Sequence, residues 1–343
     1  NNNIVLLTGY NRYEQQVEEL HPAGQVDTDH KEESYFFQTD LISTSLADNE
    51  LLVGAKFESA KTLKSECYLN SATYPPISDP DFSRKISSIY LNDTYSLNSS
   101  TAISAGLRYD SYSDFGDSYS PNLGLVYRLN QLIRFKALYS HSFRAPSWVE
   151  LTSNPDLEAE KSDSIEAGII FKQSQENVLR INFYASKIKD MITKPATIYV
   201  QESKNEFYGT ELEYIYSPNH QTELNFFASY IDANDDDGDD LADVANILAS
   251  TSLSYKLSSG FTFGSLLKYV SSSKRSTADT RDDMSESFIF DQTLSYTHKG
   301  FAVSLVLKDL FDAGRYYALP DNGYKKDFDD SGRTISLNAS LEF

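Results

Sequence analysis

Most of the chain repeats one pattern: ten to fourteen residues in which apolar and polar side chains alternate, then an interruption by turn residues. At the C-terminus Ile335, Leu337, Ala339, Leu341 and Phe343 share one side, while Ser336, Asn338, Ser340 and Glu342 share the other. Phe261, Phe263, Leu267 and Tyr269 likewise oppose Thr262, Gly264 and Lys268, and Ile103, Ala105, Leu107 and Tyr109 oppose Ser104, Gly106, Arg108 and Asp110. Successive side chains of a strand point to opposite faces, so a period of two marks strands with one apolar and one polar face. Counting such segments predicts about sixteen strands, over 4–13, 34–46, 50–61, 86–97, 101–111, 120–129, 132–143, 162–172, 178–191, 206–216, 222–231, 247–257, 261–271, 286–297, 301–311 and 333–343. No helical period competes over a comparable length.

The connections alternate in length. Short ones fall at 47–49, 98–100, around Asn130 and Gln131, and at 173–177, 217–221, 258–260 and 298–300; long ones are expected at 14–33, 62–85, 112–119, 144–161, 192–205, 232–246, 272–285 and 312–332. In an up-and-down antiparallel sheet every second connection lies at the same end. One end therefore carries tight turns and the other long loops, as in outer-membrane barrels. Tyr95, Tyr127, Phe171, Tyr216, Tyr255, Tyr296 and Phe343 recur at the short-turn ends, and Tyr10, Tyr109, Tyr139, Tyr230, Tyr269 and Phe311 at the long-loop ends. Two aromatic rows with one-sided loops fit a transmembrane barrel better than a soluble sandwich or propeller. The expected fold is all-β, a transmembrane antiparallel up-and-down β-barrel.

Composition agrees. Tyr and Phe number 24 and 20 against one Trp and two Met, a bias toward strands. No apolar run approaches the roughly 18 residues of a spanning helix, which leaves barrel strands open. The net charge of −20 argues against nucleic acid and fits acidic loops in water. Cys67 is the single cysteine, so no internal disulfide forms. Without a composition break, residues 1–343 read as one barrel domain, and NNNIVLL at the start shows no signal-peptide pattern.

GLRYDSYSDFGDSYSPNLGLVYRL (106–129), YSHSFRAPSWVEL (139–151), NPDLEAEKSDSIEAGI (154–169), YASKIKDMI (184–192), EFYGTELEY (206–214) and KDLFDAGRYY (308–317) follow one another toward Phe343. In this order and spacing they resemble the barrel of TonB-dependent outer-membrane receptors, with coverage from about residue 100 onward. The resemblance implies the outer membrane of a Gram-negative bacterium and energised import of a scarce, bulky metal chelate, foremost a ferric siderophore, with cobalamin or heme as alternatives. It implies membrane lipid, the chelate, TonB through a plug domain, and the barrel-assembly machinery through Phe343 as partners. No plug-like segment is visible, and family barrels have about 22 strands, so the chain reads as the last sixteen. The alternative is a passive porin-like channel closed by about sixteen strands, in which the first strand would pair with the last.

Ligand capture is expected from aromatics and cations on the long loops: Tyr112, Phe115, Arg144, Trp148, Tyr199, Arg315, Tyr316 and Tyr317. Alternation turns Arg108, Arg134, Lys136, Glu166, Arg180, Glu211, Glu213, Lys268, Asp291 and Glu342 toward the lumen, to bind a plug or to set ion preference. Heme-importing relatives carry a His between the FRAP (143–146) and NPDL (154–157) motifs; SWVELTS has none here, although His141, His21 and His30 lie elsewhere on loops or strand ends. The acidic stretch DANDDDGDDLADV (232–244) invites a calcium reading. With Gly238 in sixth place, however, the first and twelfth places fall on Ala233 and Val244, so the EF-hand pattern fails. No metal site, cofactor or catalytic motif is expected; His141 and Ser142 are adjacent and point to opposite faces. Residues 154–161 read as a solvated loop rim and Ser162 as the start of a strand, with Ile165, Ala167 and Ile169 toward lipid and Ser164, Glu166 and Gly168 toward the lumen.

Overall fold

A computed structural model of the protein describes residues 2–21, 24–45, 47–74, 81–174, 176–194, 198–202, 204–257, 259–276, 279–314, 316–318 and 327–342. Among them lie sixteen strands of eight or more residues: β1 Asn2–His21, β2 Gly24–Ser43, β3 Asn49–Leu69, β4 Ser83–Asn98, β5 Thr101–Tyr112, β6 Gly116–Arg128, β7 Ile133–Arg144, β8 Glu160–Lys172, β9 Asn177–Lys189, β10 Asn205–Asn219, β11 Thr222–Asn234, β12 Ile247–Lys256, β13 Phe261–Val270, β14 Ser287–His298, β15 Phe301–Lys308 and β16 Thr334–Leu341. Short antiparallel pairs join 191–193 to 200–202 and 316–317 to 328–329. Neighbours in sequence pair antiparallel from β1 through β6 and from β10 through β16. This is the expected meander.

The chain forms two compact units, one of residues 1–127, 136–165 and 186–205, the other of 128–135, 166–185 and 206–343. In the first, Ile4, Leu41, Val53, Leu91, Leu107 and Pro121 lie directly opposite one another across β1–β6, an apolar row on one face. One residue further along, Asp40, Gly54, Tyr90, Arg108 and Ser120 form the corresponding polar row. Gly54 is required there: a Cβ would stand 2.2 Å from the Tyr90 ring and 2.5 Å from Asp40, whose carboxylate accepts the Tyr90 hydroxyl. Along β3, Ser59 opposite Tyr35 and Asn49 opposite Tyr95 are ten residues apart. At about 3.3 Å per residue and a tilt near 40°, these tyrosine rows stand about 25 Å apart, the height of a barrel's apolar band.

In the second unit Tyr255, Phe263, Leu294, Leu305 and Leu337 form the apolar row. Their neighbours Ser254, Gly264, Thr293, Val306 and Ser336 lie on the other face. Leu337 is 72% exposed, as expected of a side chain with no protein layer over it. The tight turns fall where expected, at 47–48, 99–100, 220–221 and 299–300. Gly300 has φ +80°, and a side chain there would press on the Glu342 carbonyl.

Three expected long loops are corrected. Residues 14–33 are the outer halves of β1 and β2, in register to His21 opposite Gly24; β3 runs to Leu69, shortening 62–85; and only 113–115 separate β5 from β6. Beyond the apolar band polar side chains occupy both faces, the buried Thr62 and Ser65 among them, so alternation of hydrophobicity fades while backbone pairing continues. Cross-strand ion pairs occupy those positions, Lys61–Glu33 at 2.8 Å and Lys64–Asp29 at 2.6 Å. A six-residue helix, α1 Trp148–Ser153, also lies within the expected loop 144–161.

Candidate functional site

The long-connection ends hold two built clusters, one in each unit. The first grows from α1. Ser147 accepts the Glu150 amide at 3.3 Å while the Glu150 carboxylate accepts the Ser147 amide at 2.6 Å, a capping box that supports a helix too short to persist alone. Arg144, at the end of β7, grips two carboxylates in bidentate fashion: Glu150 at 3.0 and 3.1 Å and Glu160 at 2.6 and 2.7 Å. Glu160 also accepts the Ile192 amide at 2.8 Å. Burial alone would push both carboxyls up, but Arg144 and these amides outweigh it and hold them below the usual carboxylate range.

Leu151, Leu157 and Ile192 form a buried apolar cluster against which Phe82 and Tyr199 pack. Trp148 packs on Phe82 with ring centroids 5.1 Å apart. The Tyr199 amide donates to Ser153 at 3.2 Å, and its carbonyl accepts from Asn154 at 3.0 Å. Tyr112 meets Phe115 at 4.3 Å and Phe143 edge-on at 5.9 Å, and the Arg84 guanidinium lies over Tyr112 and Phe115 at 5.6 and 5.4 Å. Arg84 is fixed by Asp114 at 2.7 Å and the Pro146 carbonyl at 2.8 Å. Thus five candidate ligand residues, Tyr112, Phe115, Arg144, Trp148 and Tyr199, are engaged in packing or ion pairs with the protein itself. The rim 154–161 is less solvated than expected, with Leu157 and Ala159 buried.

The second cluster is a cavity of about 480 Å³ lined by Tyr316 and Tyr317, Arg275, Arg281 and Asp327, and the edge formed by Asp243, Asp282, Asp283 and Glu286. Tyr316 and Tyr317 are exposed; Arg315 lies outside the described residues. The arginines are bound within the wall. Arg275 donates to Asp327, to the Asp282 carbonyl at 2.7 Å and to Met284 Sδ at 2.9 Å. Arg281 donates to Asp279 at 2.9 Å and to Asp327 at 3.2 Å. Hydrogen bonds from the Arg281 side chain and amide hold the Asp279 carboxyl down at about 2.

The charges assigned to one face mostly meet partners there. Arg108 binds Asp110 at 2.7 Å and Ser88 at 2.8 Å and lies over Tyr90; Arg180 meets Glu213 at 2.6 Å; Lys268 meets Asp291 at 2.9 Å. Arg134 and Lys136 are on β7, Glu166 on β8 and Glu211 on β10, while the Glu342 amide donates to Gly300. His141 is held by Asp163 at 2.8 Å and His30 lies against Glu32. In the acidic loop, Asp235 accepts the Asp237 and Asp239 amides. Among the described residues no three His, Cys, Asp or Glu side chains are placed to hold a metal ion. Sequence reading missed Glu150, Glu160, Arg84 and Asp114. Ser147-x-x-Glu150 was a legible capping signal; Arg84 and Asp114, thirty residues apart, carry none.

A family model described as "TonB dependent receptor-like, beta-barrel" matches residues 2–338. The "Ferric enterobactin receptor PirA" of Pseudomonas aeruginosa is 26% identical over 146 residues, 36% of this chain and 20% of that protein. The "Vitamin B12 transporter BtuB" of Vibrio vulnificus is 30% identical over 86 residues, 25% of this chain and 14% of that protein. Among solved structures, the ferric enterobactin receptor PfeA of P. aeruginosa superposes with a TM-score of 0.80 at 17% identity, covering 100% of this chain and 59% of that one. The ferric-catecholate import receptor Fiu of Escherichia coli K12 gives 0.79 at 15%, covering 100% and 62%. The chain thus spans about three fifths of those solved chains, and its matches to the curated relatives cover a fifth of their length or less. With alternating strands, one-sided long connections and a family match along almost its whole length, the chain belongs to the TonB-dependent receptor-like β-barrel family of the Gram-negative outer membrane.

Proposed function

We propose that the protein takes part in TonB-dependent uptake of a ferric siderophore, its residues 1–343 serving as barrel domain and its second cavity as part of the chelate-binding surface. The observation that carries this reading is the family match over residues 2–338, joined by curated relatives named as ferric enterobactin receptors. The apolar rows would face lipid and the polar rows a lumen in which Arg108, Arg180, Lys268 and their partners meet a plug domain. TonB would act through that plug, and the barrel-assembly machinery would insert the barrel into the membrane. Of the candidate ligand residues, Tyr316 and Tyr317 are the two best placed to touch a chelate; the other five described hold the loops. Uptake of radiolabelled ferric siderophore by iron-starved cells, with and without this protein and with and without TonB, tests the proposal. TonB-independent flux of small solutes with no chelate uptake would instead favour a passive channel, and uptake of cobalamin alone would replace the siderophore.

A further inference from the structure

The cavity beside Tyr316 and Tyr317 has its cations already committed. Arg275 is 5% exposed at its side chain and Asp279 8%, and Asp327 joins Arg275 to Arg281, so both guanidinium groups are spent on wall carboxylates. Asp243, Asp282, Asp283 and Glu286 remain along the lining, with Tyr316 and Tyr317 the exposed aromatic faces. Among the described lining residues Asp243, Asp282, Asp283, Glu286 and Asp327 stand against Arg275 and Arg281, five acids to two cations.

We infer that this cavity selects a ferric chelate without net negative charge, of the neutral or cationic tris-hydroxamate class, and disfavours tris-catecholates. The inference rests on the siderophore reading above and names the ligand class within it. Three hydroxamates carry three negative charges and neutralise iron(III), and a pendant amine makes the chelate cationic. Three catecholates carry six and leave a trianion. A trianion here meets like charge and no uncommitted arginine among the described lining residues, whereas a cation gains the carboxylate field and the tyrosine faces. A charged wall of this kind acts as a filter by repelling the wrong partner as much as by attracting the right one.

The test measures binding of three probes to the whole receptor, purified from its membrane in detergent, at two ionic strengths. The probes are ferrioxamine B (cationic trihydroxamate), ferrichrome (neutral trihydroxamate) and ferric enterobactin (trianion). The expected result is at least tenfold tighter binding of one or both hydroxamates than of ferric enterobactin, with ferrioxamine B weakening as salt rises. D282N, which leaves the Asp282 carbonyl and its bond to Arg275 in place, should weaken ferrioxamine B severalfold and ferrichrome much less. Tighter binding of ferric enterobactin overturns the inference and leaves the siderophore reading intact. Binding of none of the three, by a receptor that remains folded, overturns both.

Discussion

Arg144→Ala removes the one group that holds Glu150 and Glu160 together. The carboxylate side chains are 11% and 14% exposed, whereas Arg144 is 46% exposed. Stripping the partner from a buried ion pair costs about 3–5 kcal/mol, and solvent access to Arg144 reduces that to roughly 2 kcal/mol. The loss falls on local opening of α1 and its anchors, because the strand ladders do not depend on this contact. An opening made easier by about 2 kcal/mol exchanges amide hydrogens about 30-fold faster. The readout is specific: Leu151 donates to Ser147, Asn154 to Glu150, and Ile192 to the Glu160 carboxylate. Hydrogen exchange at these three amides, compared with amides in the β13–β14 ladder, separates local release from global damage. The pH dependence has a fixed sign. In the unaltered protein both carboxyls are held low, so their contribution is complete above about pH 4.5 and is lost as pH falls through their depressed values. In the variant burial is opposed only by the Ser147 and Ile192 amides, both values rise, and the loss of protection on acidification should shrink relative to the unaltered protein. R144A combined with E150Q, which keeps the cap, should exchange more slowly than R144A alone. Unchanged exchange at the three amides in folded R144A would refute the clamp.

Gly54→Val should cost about 1–3 kcal/mol or reduce the yield of folded barrel, since its side chain would displace the Tyr90–Asp40 contact; heat-modifiable gel mobility measures this. Lys64→Ala should leave the midpoint of a denaturation series nearly unchanged, because ion pairs of a solvent-accessible lysine contribute little. Asp327→Asn leaves Arg275 short of its main partner and should open segment 271–286 to limited proteolysis while the strands persist. Asp279, held down at about 2, should keep that segment protected until pH falls below the ordinary value near 3.8, with release between there and about 2.

The sequence by itself determined the strand pattern. Period-two alternation needs no tertiary information, because each residue reports its own side of a two-sided sheet. For that reason the apolar row through Leu41, Val53, Leu91 and Leu107 and the row ending at Leu337 were both legible, as were the tight turns and the family. What fades with distance from the apolar band is the signal itself. Around Lys61, Lys64, Asp29 and Glu33 both faces carry polar side chains, so the chain looks like loop although its backbone stays paired. The ligand candidates failed to separate for a related reason: a loop Tyr or Arg reads the same whether it packs or waits for a partner. Only the tertiary structure packed Tyr112 on Phe115 and Phe143, tied Trp148, Tyr199 and Arg144 into the cluster around α1, left Tyr316 and Tyr317 on a cavity, and tied Arg275 and Arg281 to Asp327. The ion pairs among them join residues six to fifty-two positions apart, and charge neutralisation over such distances is decided by the folded geometry, not by local pattern.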